Sequence, residues 1–79
     1  MTICEATRKR IRELCKQKNM TEYMLICRTG MPPSTVKSIL SGKSKNPGIV
    51  NIRKIVEGLG ISLYEFYDSK LFDGLDPDD

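Results

Sequence analysis

The sequence predicts an all-α fold, five short helices in one compact domain, and three observations carry that prediction. Apolar residues recur at three- and four-residue spacings through most of the chain. Glycines stand where these stripes stop, at Gly30, Gly42 and Gly60, positions suited to closing a helix. No segment alternates apolar and polar residues as a half-buried strand would. With 79 residues, the chain is expected to form one small domain. A domain of this size buries only roughly 60% of the surface its unfolded chain exposes, so tight helix packing or a partner subunit has to add stability.

Residues 4–18 read as the first helix. Cys4, Thr7, Ile11, Leu14 and Cys15 fall on one stripe, while Arg8, Lys9, Arg10, Arg12, Lys16 and Lys18 occupy the other faces. The stripe is narrow and lacks an aromatic residue, which favours packing on protein over lying on a membrane. Asn19 and Met20 make a turn, and Thr21 is placed to cap a second helix of about 21–28, with Glu22 at its positive end. Leu25 and Ile26 face inward, Met24 with them, and Gly30 ends the helix.

Met31, Pro32 and Pro33 interrupt the pattern, but Pro33 suits the first turn of a helix, where its missing N–H is no loss. A third helix is therefore expected from near Pro33 to near Ser41, with Val36, Ile39 and Leu40 inward and Ser34, Thr35, Lys37 and Ser38 outward. Residues 42–48 form a basic, turn-rich loop. A fourth helix, about 49–59, presents Ile49, Ile52, Ile55, Val56 and Leu59 to the core and stops at Gly60. Ser62-Leu63-Tyr64-Glu65 is a capping box opening the fifth helix, with Ile61 placed to staple against Phe66. This divides the chain into a domain at 4–68 and an acidic tail at 69–79, in which Leu71, Phe72 and Leu75 remain and a helical turn fits 69–72.

Composition excludes several classes of function. There is no histidine, which removes Ser-His and Cys-His nucleophile pairs and the commonest general base, so an enzyme is not expected. Cys4, Cys15 and Cys27 are an odd number at spacings that fit no metal motif, and they read as reduced, buried or half-buried thiols. No metal, cofactor or small-molecule substrate is indicated. No apolar run is long enough to span a membrane and the first twelve residues are too polar for a signal sequence, so a cytoplasmic protein is expected.

The formal charge of +3 conceals a polarity. Residues 1–56 hold 12 Lys/Arg against 3 Glu, a net of +9, whereas residues 57–79 hold one Lys against 7 Asp/Glu, a net of −6. Such segregation suits a polyanion-binding body with its acidic end held away from the ligand. Two helices joined by a short glycine-containing turn, the second exposing small hydroxyls and a lysine, form a helix-turn-helix plan. Short side chains at Ser34, Thr35 and Ser38 let that helix approach base edges in a major groove. Lys43 and Lys45 follow where a duplex backbone would pass, with Ser44 and Asn46 able to hydrogen-bond to it. The aromatics cluster in or near the last helix and form no stacking platform, which disfavours single-stranded RNA.

From Arg10 to Tyr67 the chain resembles the lambda-repressor-like (Cro/Xre) helix-turn-helix family. The matching pieces are RIREL at 10–14, MTEYMLI at 20–26, RTGM at 28–31, STVKSILSGK at 34–43 and IRKIVEGLGISLYEF at 52–66. The resemblance implies a five-helix DNA-binding regulator whose third helix enters the major groove, as a homodimer on a two-fold symmetric operator. It places base readout on Pro33, Ser34, Lys37 and Ser38, and phosphate contacts on Thr21, Ser41, Lys43 and Ser44, to which the loop position adds Lys45. It also places Glu22 at a phosphate position, where a carboxylate would repel. Pro33 stands where a long polar residue often reads a base, and can offer only apolar contact. The family's ion pair between the first and third helices is replaced by Cys15 and Leu40, which are expected to pack together, leaving no stranded charge. Tyr67, Leu71 and Phe72 either form a self-association patch or cover the domain's own core. An antitoxin-like or adaptor module of the same fold, binding protein through its acidic end, is the alternative function.

Overall fold

Helix ends in this chain coincide with side chains or glycines able to terminate a backbone. The computed structural model describes residues 1–77. Its elements are α1 (Ile3–Gln17), α2 (Glu22–Thr29), α3 (Pro33–Ser41), α4 (Ile49–Leu59), α5 (Leu63–Tyr67) and a 3-10 turn at Lys70–Phe72. No strand occurs among the described residues. The complete capping box lies at α1, where Thr2 Oγ1 accepts from the Glu5 amide at 3.2 Å and the Glu5 carboxylate accepts from the Thr2 amide at 3.1 Å. The Thr2 amide and hydroxyl bonds hold the Glu5 carboxyl below its usual range. At α5 one half of the expected box is present, Ser62 Oγ accepting from the Glu65 amide at 3.1 Å. Thr21 caps α2 by accepting from the Met24 amide at 3.1 Å.

The core gathers one face from every helix: Ile11 and Leu14, Leu25, Val36, Ile39 and Leu40, Ile52, Ile55, Val56 and Leu59, and Phe66. Ile61 is half-buried against this cluster, where a staple over Phe66 would put it. Three expectations are corrected. Ile49 is 87% exposed, because the first turn of α4 follows an exposed loop and overhangs the core. Cys4 is half-buried, as expected of it, its thiol turned to donate to the Lys45 carbonyl, while Ala6 is fully buried on α1. Met24 is exposed, since successive helical residues lie about 100° apart and Leu25 is the residue that faces α4 and the core. Cys27 is an exposed thiol rather than a buried one.

Two of the basic residues expected on the outer faces of α1 are structural. Arg10 donates from Nε to the Phe66 carbonyl at 2.7 Å and from Nη2 to the Glu65 carbonyl at 2.8 Å, and pairs with Glu13. It therefore satisfies the C-terminal carbonyls of α5, a helix of 5 residues too short to hold itself together. Arg12 donates from Nη2 to the Leu40 carbonyl at 2.7 Å, doing the same for α3.

α2 and α4 cross closely at Gly58. A Cβ placed there would lie 2.7 Å from Thr29 Cγ2. Thr29 cannot swing aside, because its hydroxyl donates to Ile26 O at 3.2 Å and accepts from the Met31 amide at 3.3 Å. Gly58→Ala should therefore destabilise by about 1–2 kcal/mol even though alanine favours helix by about 1 kcal/mol. A denaturant midpoint equal to or above that of the parent would show that the crossing tolerates a methyl.

Phe72 packs on the core, its ring centroid 6.1 Å from that of Phe66 and 4.9 Å from that of Tyr67. Further on, the Asp76 carboxylate meets the Met1 amino group at 2.8 Å. No helix among the described residues is long and apolar enough to cross a membrane.

Candidate nucleic-acid interface

α2, the turn and α3 form a continuous unit. Gly30 closes α2 in the left-handed conformation (φ 67°), its amide donating to Ile26 O at 3.1 Å. Met31 is buried under the turn, and Pro33 starts α3 at its first helical position. Burial of Val36, Ile39 and Leu40 fixes the rotation of α3, and that rotation leaves Pro33, Ser34 and Lys37 exposed with Ser38 half-exposed. The four residues expected to read bases thus share the outward side of one helix.

The expected phosphate contacts lie at the start of α2, at the end of α3 and on the loop after it. Lys43 and Lys45 are exposed on the loop after α3, and Ser44 is half-buried, its amide donating to Ser38 O at 3.0 Å. Ser41 is exposed, but its hydroxyl donates to Ser38 O at 3.3 Å, so it must turn before it can donate to a phosphate. At the start of α2, Thr21 Oγ1 already accepts from Met24, leaving its hydroxyl proton free to point outward. The Glu22 and Tyr23 amides have no partner among the described residues, as expected of the first turn of a helix.

Glu22, Arg12, Lys16, Cys15, Met20 and Leu40 line a cavity of about 250 Å³. Cys15 is half-buried against the core cluster that contains Leu40, and both residues line this cavity. Burial raises the Cys15 thiol above its ordinary value, with nearby Arg12 opposing, so the thiol is neutral at pH 7. The cross-link an ion pair would supply between α1 and α3 is made instead by Arg12 on the Leu40 carbonyl.

Sequence reasoning missed how α1 seats α3. Cys4, Arg8 and Arg12 lie one turn apart along one face. Cys4 donates to Lys45 O, Arg12 to Leu40 O, and the Arg8 guanidinium rests against Gly42, with Nη1 2.6 Å from where a Cβ would stand. Gly42 is left-handed (φ 87°), and this backbone conformation requires glycine; a Cβ there would also displace the Arg8 guanidinium. The i, i+4, i+8 spacing was the available signal.

The family model described as Helix-turn-helix, of the Cro/C1 type, matches residues 11–66, well over half of the chain. The chain belongs to this family. The helix-turn-helix family is one of DNA-binding regulators rather than of enzymes, and the matched span runs from Ile11 on α1 to Phe66 on α5. No curated protein and no solved structure gives a significant match to this helix-turn-helix chain.

Proposed function

We propose that this protein is a sequence-specific transcriptional regulator, acting in the cytoplasm, that reads the major groove of an operator with α3 and binds as a homodimer. The observation that carries the reading is the exposed face of Pro33, Ser34, Lys37 and Ser38, flanked by exposed Lys43 and Lys45. In that reading the helix supplies short donors and acceptors to base edges while the loop lysines neutralise the backbone. Thr21, Ser41 and Ser44 add hydroxyl or amide contacts to phosphate.

The division of labour is testable. Ser38→Ala and Ser34→Ala should alter which duplex is preferred in selection from a randomised pool, by about 1–3 kcal/mol at the bases concerned. Lys43→Ala should weaken all duplexes alike and reduce the slope of log affinity against log salt by about one unit. Equal losses on every sequence from both kinds of variant would defeat it.

For the dimer, the supporting feature is a shallow apolar cleft of about 400 Å³ formed by Leu63, Tyr64 and Tyr67 beside Asp68. All three apolar residues are exposed, at 47%, 81% and 43%. Phe72, by contrast, covers the domain's own core. Self-association through this cleft would also give the selected operators two-fold symmetry.

A further inference from the structure

Between the first turns of α1 and the basic loop lies a cavity of about 590 Å³, within the range of ~300–1,000 Å³ typical of ligand sites. Its lining includes Cys4, Glu5, Arg8, Gly42, Lys45 and Asn46. The charge there is predominantly positive. Arg8 and Lys45 are cationic against the single carboxylate of Glu5, which stays ionised, is held by the Thr2 amide and hydroxyl, both at 3.1 Å, and is felt by Arg8. Arg8 is half-buried against Gly42, yet its donors meet no acceptor among the described residues. A guanidinium partly withdrawn from water and lacking acceptors is poised for an oxyanion, whose paired oxygens match its planar fork. Opposite, the Cys4 thiol holds the loop by its Lys45 carbonyl, keeping the Lys45 and Asn46 wall in place.

We propose that this cavity is an oxyanion site, in which a phosphate group is bound by the fork of Arg8, with Lys45 as a second charge and the Asn46 amide as a neutral donor. That phosphate has two sources, a phosphodiester of duplex lying along the loop or a free phosphorylated small molecule. The duplex arm rests on the DNA-binding reading above, whereas the free-phosphate arm stands without it.

The test has both arms. ¹⁵N-labelled protein is titrated with inorganic phosphate against sodium chloride at matched ionic strength. The Cys4, Arg8 and Asn46 amide signals should shift saturably, and Arg8→Gln should weaken the apparent affinity at least about tenfold, the scale of one charge-assisted hydrogen bond. In parallel, duplex affinity is measured against salt, where Arg8→Gln should lower the slope by about one unit if a phosphodiester is the occupant. Saturable shifts with an unchanged slope assign the site to a free phosphorylated ligand, and a lowered slope assigns it to the duplex. Absence of both responses overturns the proposal. Because Arg8 touches Gly42, its variant is checked by thermal melting, and exposed Lys45→Gln must diminish the phosphate-induced shifts without touching the core. Parent protein that binds no duplex yet responds to phosphate would sink the operator reading and leave this site standing.

Discussion

Phe66→Ala should cost about 3–5 kcal/mol, the largest loss expected from any single truncation here. Phe66 is the largest of the fully buried side chains, at 0% exposure, and belongs to the core cluster. Its ring meets Tyr67 edge-on at 4.9 Å and Phe72 at 6.1 Å, so removing it also withdraws support from the C-terminal segment. For 79 residues, total stability is about 4–12 kcal/mol, so the variant is expected to be largely unfolded at 37 °C or close to it. Phe66→Leu, which keeps most of the volume, should retain a cooperative transition. Urea melts followed by circular dichroism decide the matter, and a loss below about 1 kcal/mol for the alanine variant would mean the ring is not what anchors α5.

Arg10→Met should cost about 2–3 kcal/mol, because the stem is kept and only the donors go. The Phe66 carbonyl has no other partner among the described residues, whereas the Glu65 carbonyl also accepts from Asp68 at 3.3 Å. The loss should persist at high salt, since the main acceptors are neutral carbonyls rather than the Glu13 carboxylate. Arg10→Lys should recover less than half of it, because one ammonium cannot reproduce a planar fork on two neighbouring oxygens. At about 4–8 °C per kcal/mol, the methionine variant should melt roughly 10–20 °C lower. A drop confined to low salt would instead assign the effect to the ion pair with Glu13.

These two residues mark where the sequence was readable and where it was not. Phe66 was placed in the core by periodicity and by its spacing from Ile61, and α3 was bounded at both ends by Pro33 and Gly42, because local backbone chemistry acts within a few residues. The outward face of α3 followed from the inward one. Ile49 misled because periodicity gives the direction of a side chain but not whether the core extends to meet it. The arginines of α1 were misread for a related reason: helical phase locates Cα atoms, and a guanidinium several ångströms out can fold back onto another helix. The capping box at Thr2 and Glu5 is written in the sequence as T-x-x-E. Glu22 stands at the start of α2 as expected from the sequence, and its carboxylate shares a cavity with Arg12 and Lys16.

The seat that α1 provides for α3 engages main-chain atoms, at Leu40, Gly42 and Lys45, and none of the outward side chains. A mounting that grips the backbone and the buried side is indifferent to what the mounted piece displays outward. Exchanging Ser34, Lys37 and Ser38 for other residues would therefore leave the framework undisturbed, making target preference an interchangeable part, open both to evolutionary drift and to deliberate reprogramming.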